Sequence, residues 1–140
     1  MNVELSCSHD VECSNEELVR MSDFGKIIEE KCMNFAVRIV NLCRFLNEEK
    51  KEYKISDQLF RSGTSIGANM SEAQCAVSKS DFVAKVYIAQ KECNESLFWL
   101  NLLRNTSFLS QKQYDSIYSD CEELKKILVS ITKTARQNNS

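Results

Sequence analysis

The sequence predicts an all-α fold, an antiparallel up-down-up-down four-helix bundle, and three observations carry that expectation. The 140 residues include no Pro and only 3 Gly, against average usage near ~5% and ~7%, so little punctuates the chain into short elements. Apolar residues recur at helical spacing over three long stretches. The links between the helices are roughly 4 residues long, and links that short turn neighbouring helices back on one another. An apolar fraction of 43% and a charged fraction of 27% suit a soluble domain, and a chain of this length buries roughly 70% of its unfolded surface. A β-sandwich and an α/β enzyme built on glycine-rich loops are both disfavoured.

The first 22 residues have no sustained period and a high acid content. They predict a mobile acidic tail (1–22) ahead of a four-helix-bundle domain (23–140). The first helix is expected near 24–53, where Ile28, Cys32, Phe35, Ile39, Leu42 and Leu46 step by 4, 3, 4, 3 and 4 and share one face. The second is expected near 57–77, with Ser56 as its N-cap. The third, near 79–106, carries Phe82, Val86, Ala89, Cys93, Leu97 and Leu100 on one face, and Tyr87, Ile88, Trp99 and Leu103 widen it enough for more than one neighbour. The fourth, near 111–137, repeats the first seam's spacing with Ile117, Cys121, Leu124, Leu128, Ile131 and Ala135. Ser78 with Asp81, and Ser110 with Gln113, show the capping-box spacing at two helix starts.

The second helix is the anomaly, because Arg61–Ala73 holds two of the three glycines. Each costs ~1 kcal/mol relative to Ala in a helix interior, so packing must compensate. Gly63, Gly67 and Ser71 lie four apart and make a side-chain-poor strip, where another backbone can approach or a large side chain can lie flat. That strip serves either a helix crossing within one chain or a subunit interface, with Ser62, Thr64, Ser65 and Asn69 hydrogen-bonding across it. Trp99, off the Phe82 seam, is expected to anchor an interface. Gly25 sits at a helix entrance. A phosphate loop is excluded, since Gly-x4-Gly-Lys-Ser/Thr after a strand is absent.

The formal charge of −2 is unevenly spread. Residues 1–23 hold six acids and one base, a net −5, which leaves +3 on the body. In an antiparallel bundle the end of the last helix lies beside the starts of the first and third. Lys26, Lys31, Lys79, Lys85, Lys133 and Arg136 are then expected at one pole as candidate nucleic-acid contacts, offset in part by Glu29, Glu30, Glu72 and Asp81. Lys125, Lys126, Lys133 and Arg136 also complement the dipole of the last helix. Aromatic interleaving for single strands is not evident, since Phe35, Phe82 and Trp99 fall in or beside apolar stripes.

No catalytic residue, cofactor, metal or small-molecule substrate is expected. His9 is the only histidine, so the paired Glu-x-x-His motifs of a di-iron bundle are missing, and the bundle has no Ser-His or Cys-His pair. Cys7, His9 and Cys13 offer three of the four ligands that a structural zinc takes. Glu72, Glu92 and Glu95 are the inward-leaning candidates for an enzyme that uses carboxylates alone, but ion pairing on helix surfaces explains them, with Lys91 and Glu95 expected as an i,i+4 pair. The odd count of 7 cysteines and the lack of an apolar leader predict a reduced, cytoplasmic setting. Cys32, Cys93 and Cys121 fall in apolar stripes and read as core filler. No run approaches the ~18 apolar residues of a membrane span.

The run Arg61-Ser62-Gly63-Thr64-Ser65-Ile66-Gly67-Ala68-Asn69, then Ser71-Glu72-Ala73, Ser78-Lys79-x-Asp81-Phe82, Lys85, Ile88-Ala89, Lys91-Glu92, Glu95 and Trp99-Leu100, resembles a known family. Its members are four-helix-bundle proteins named after open reading frames in 23S rRNA intervening sequences. Phe35-Ala36-x-Arg38-Ile39-Val40 and Tyr53-x-Ile55-Ser56-x-Gln58-Leu59 match as well, so the resemblance runs over about 24–137. It implies a small helical subunit that assembles into a ring, typically a homopentamer, with no established enzymatic activity. Members are similar to the accessory bundle protein of diversity-generating retroelements, whose ring binds nucleic acid and a reverse transcriptase. RNA or DNA, and a reverse transcriptase-like protein, are therefore the implied partners. The expected function is a non-enzymatic oligomeric scaffold that binds nucleic acid or a nucleic-acid enzyme, and the alternative is a protein-binding adaptor with no nucleic-acid role that uses the acidic tail or helix surfaces to recruit a partner.

Overall fold

The structure, a computed structural model, describes the backbone of residues 15–137 and the side chains of residues 23–137. It contains four helices, α1 (Asn15–Glu48), α2 (Lys54–Gln74), α3 (Lys79–Asn105) and α4 (Gln111–Gln137), and no strand among the described residues. The helix α1 starts nine residues earlier than the apolar period predicts. Its opening types, Asn15 followed by Glu16 and Glu17, suit a helix start, where acids complement the positive end of the dipole. Acid content had pointed to a tail there; the expected tail's first 14 residues, with Cys7, His9 and Cys13, lie outside the described residues.

The helix starts combine local capping with one longer-range substitute. Ser78 Oγ accepts from the Asp81 N–H at 3.0 Å, and Ser110 and Gln113 form a reciprocal box at 2.9 and 3.2 Å. Ser56 does not cap α2, which begins at Lys54. The buried carboxylate of Glu52 does so, accepting from the N–H groups of Ile55 and Ser56 at 2.9 and 2.8 Å. Ser56 instead lies inside the bundle and donates to the Cys43 carbonyl at 3.4 Å. Glycine takes no part in the links: the left-handed positions there are Lys51 (φ 54°) and Ser107 (φ 66°), and no glycine has positive φ.

Residue numbers fall along each helix as they rise along its neighbour. Gly63 faces Ile39 and Gly67 faces Cys32 at the α1–α2 seam. Arg61 meets Glu92 and Glu95 while Glu72 meets Lys85 at the α2–α3 seam. Asn101 bonds Tyr114, whereas Gln90 bonds Leu128 and Thr132, at the α3–α4 seam. The α1–α4 side is spanned by long polar side chains, Lys31 to Glu123 at 2.9 Å and Arg38 to Asp120 and Ser116.

The core follows the periodic stripes closely. Ile28, Cys32, Phe35, Ile39 and Leu46 are buried on α1, but Cys43 takes the place expected for Leu42, which is only partly buried. On α4, Ile117, Cys121, Leu124 and Leu128 are buried and Ile131 packs at the margin. Gly25 is not at a helix entrance; it is buried within α1, where a Cβ would meet the Gln74 amide at 3.1 Å.

Candidate nucleic-acid interface

The surface charge is sorted by which seam each carboxylate enters. On α3, Glu92 and Glu95 both turn to Arg61 of α2, Glu92 at 3.3 Å. Burial pushes the Glu92 carboxyl above its ordinary value despite the opposing pull of Arg61, and the hydrogen bond to Glu95 raises the Arg61 guanidinium. On α4, Asp120 is held by Arg38 and Glu123 by Lys31, both on α1. Four acids of α3 and α4 are thus drawn to the sides facing α2 and α1.

The opposite side, along the outer α3–α4 seam, is left rich in cations. From Lys125 to Gln137, α4 carries Lys125, Lys126, Lys133 and Arg136 and no acid. The three lysines line an open cleft with Tyr118, Glu122, Val129 and Leu97. On α3, Tyr87, Lys91, Asn94 and Phe98 step by 4, 3 and 4, so they share a face. Lys91, Asn94 and Phe98 are exposed, and Phe98 keeps 56% of its surface in water.

Tertiary contacts hold this face in shape. The Gln90 amide donates to the Leu128 carbonyl at 3.1 Å and to Thr132 Oγ1 at 3.0 Å, locking α3 against α4. The Arg136 guanidinium lies 5.1 Å from the Tyr87 ring centre, and Tyr118 packs on Tyr114 at 4.9 Å. The expected Lys91–Glu95 pair is replaced, because Glu95 is taken by Arg61.

Of the six cations expected at one pole, Lys31 and Lys85 are held in ion pairs between helices. Lys31 meets Glu123 at 2.9 Å and Lys85 meets Glu72 at 2.8 Å, and each carboxylate raises its partner ammonium's pKa. Lys26 and Lys79 are exposed on α1 and α3, while Lys133 and Arg136 fall on the outer α3–α4 side. Sequence reasoning placed Lys91, Lys125 and Lys126 in local ion pairing or dipole roles. The acid-free run after Glu123 was the signal that could have singled out α4.

The small-residue strip of α2 has a specific intramolecular setting. Gly63 and Gly67 lie against Ile39 and Cys32 of α1 in the same chain. Ser62 is the member that reaches another helix, accepting from Ser96 Oγ at 2.8 Å. Thr64, Ser65 and Asn69 instead donate back to the carbonyls of Phe60, Arg61 and Ser65, so the hydrogen bonds expected across the strip close within α2. Ser71 is exposed. Trp99 is half-buried against the core, with Nε1 buried and without a partner, and stands edge-on to Phe98 at 5.0 Å.

The carboxylates weighed for chemistry do not converge: Glu72 pairs with Lys85, and Glu92 and Glu95 share Arg61. Among the described residues no group of three His, Cys, Asp or Glu is placed to hold a metal ion. Cys32, Cys93 and Cys121 are buried free thiols. Burial pushes Cys32 up to about 12, while the hydrogen bond with Cys121, then burial, raises Cys93. Thiols raised in this way, Cys32 and Cys93, keep their protons and are poor nucleophiles. No helix among the described residues is long and apolar enough to cross a membrane.

No curated protein matches the chain. A solved structure is similar to it, that of a protein of unknown function from the S23 ribosomal protein family of Bacteroides thetaiotaomicron. The two share 50% identity and a TM-score of 0.77, over 78% of this chain and 97% of that one. The family model for the 23S rRNA-intervening sequence protein matches residues 26–130, from early in α1 to late in α4. With that match spanning all four helices, the chain belongs to the 23S rRNA-intervening sequence protein family.

Proposed function

We propose that this protein is a non-enzymatic scaffold that assembles with copies of itself, as a homopentamer, and binds nucleic acid. The observation that carries the reading is the segregation of its surface. Met33 and Val37, four apart on α1, leave 65% and 51% of their surface exposed. Phe60 of α2 leaves 46% exposed, and large apolar groups left in water support association. Cations collect instead along the outer α3–α4 seam, which supports a polyanion as the second partner. Repetition of that seam around a ring multiplies a small positive excess per subunit.

Analytical ultracentrifugation tests the assembly. The full chain is expected at about five times its 16.1 kDa, and Met33→Lys combined with Val37→Glu is expected to lower that mass while leaving helicity intact. A wild-type monomer overturns the scaffold reading. Binding to RNA is expected to weaken between about 50 and about 200 mM salt, since phosphate contacts release counterions. Binding without that decline overturns the nucleic-acid part.

A further inference from the structure

We infer that the outer face of the α3–α4 seam is a binding site for single-stranded nucleic acid. Its phosphates lie along Lys125, Lys126 and Lys133, and a base rests on the exposed ring of Phe98. The inference rests on the nucleic-acid reading above and adds to it a location and a kind of strand.

Charge locates the site. The three lysines border one cleft, with Arg136 one turn beyond Lys133 and Lys91 exposed on α3. Glu122 is the acid lining this cleft, because Asp120, Glu123, Glu92 and Glu95 are engaged on the far sides of their helices. The C-terminal end of the α4 dipole opposes an anion with roughly half a charge. Four full cations on the same stretch of helix outweigh it. From Lys125 to Lys133 the helix rises about 12 Å at ~1.5 Å per residue, enough for a backbone track rather than for one isolated phosphate.

The aromatic residues select the kind of strand. Phe98 stands on the same α3 stripe as Lys91 and Asn94, with 56% of its surface exposed. Tyr118, braced by Tyr114, lines the cleft beside Lys125. A duplex keeps its bases stacked internally and has no use for such a ring, whereas unstacked bases gain from one in any sequence. An acidic polypeptide would be held by the lysines alone.

Fluorescence anisotropy of the full chain with a labelled oligouridine tests this, with an RNA duplex, heparin and polyglutamate as competitors. Lys125→Ala with Lys133→Ala is expected to weaken oligouridine and heparin together and to flatten the salt slope by about 0.7 per lost phosphate contact. Phe98→Ala is expected to weaken oligouridine by about fivefold or more, leave heparin unchanged, and be rescued by Phe98→Trp. Thermal melts confirm that each variant folds. Unchanged oligouridine affinity in Phe98→Ala, or polyglutamate competing as well as oligouridine, overturns the single-strand site while leaving polyanion binding intact. Failure of the wild type to bind any of the nucleic acids or heparin overturns the nucleic-acid reading itself.

Discussion

A Cβ placed on Gly63 would lie 2.8 Å from Cγ1 and 2.9 Å from Cγ2 of Ile39, a side chain with no exposed surface. The absence of a side chain at Gly63 is therefore what allows α2 to seat on α1 at this level. Gly63→Ala gains about 1 kcal/mol of helix propensity but overpacks the site, which at the upper end costs about 3 kcal/mol because Ile39 is fully buried and has no room to give, so a net loss of about 2 kcal/mol is expected in urea unfolding at fixed protein concentration. Ile39→Ala creates the missing room, and the double variant is expected to be more stable than the two single losses predict, by about 1 kcal/mol. Gly67→Ala is milder, because its Cβ would come no closer than 3.2 Å to any neighbour, the Cys32 Cβ. A Gly63→Ala protein as stable as wild type refutes the close-contact account.

Glu52 ties the first link to the second helix through two backbone N–H groups. Glu52→Ala is expected to cost about 1–2 kcal/mol, at the upper end for a lost cap, because two donors, one buried and one part-buried, lose their acceptor. Ser56→Ala tests a different contact, the hydroxyl against the Cys43 carbonyl, and should cost less. Equal losses in the two variants would contradict this assignment of the cap.

Ser62 and Ser96 pair their hydroxyls inside the α2–α3 seam at 2.8 Å, and the Glu92 carbonyl at 2.9 Å is the alternative acceptor for the single Ser96 hydroxyl proton. Removing one hydroxyl leaves the other with a partner on its own helix, so each single alanine variant is expected to lose only about 1 kcal/mol. The double alanine variant should lose less than the sum of the singles, which denaturant titration of the four proteins measures directly.

The buried thiols predict alkaline sensitivity. Burial raises Cys32 to about 12, and Cys43 and Cys93 are raised as well. Their folded values lie above those of the unfolded chain, so their stabilising effect is complete below about pH 8.5 and is lost as pH rises through the folded values. Each contributes up to ~1.4 kcal/mol per pH unit in that window. Melting temperature is expected to hold steady up to about pH 8 and to fall above about pH 9, with a shallower fall in Cys32→Ala. In a thiol-labelling time course, exposed Cys75 should react ahead of Cys32, Cys43, Cys93 and Cys121. Early modification of Cys93 would contradict its burial.

The helices were legible because burial on one face imposes a period that any reader of the chain can count. Ile28, Cys32, Phe35, Ile39 and Leu46 show it on α1, and Ile117, Cys121, Leu124 and Leu128 show it on α4. Caps were legible where both partners sit within one turn, as at Ser78–Asp81 and Ser110–Gln113. They were not legible at α2, because the Glu52 carboxylate reaches its donors from the preceding link, after the chain has turned through the left-handed Lys51. The start of α1 was misjudged because acids near a helix N-terminus and acids in a tail look alike in composition.

The candidate site was only half legible, for an electrostatic reason. Local spacing paired Lys91 with Glu95, but a carboxylate goes to the best-placed cation in space, and Arg61 offers two nitrogens to Glu92 and Glu95 across the α2–α3 seam. Which cations remain over is settled only after every such pair is made.

By itself the sequence determined four amphipathic helices, their core stripes, two of their caps and the presence of a side-chain-poor strip in α2. Tertiary structure decided what that strip touches, Ile39 and Cys32 of the same chain. It also decided which lysines lose a partner when Arg61, Arg38 and Lys31 draw the acids to other seams. Helical periodicity is a property of neighbours along the chain, whereas close approach and charge pairing depend on residues that only packing brings together.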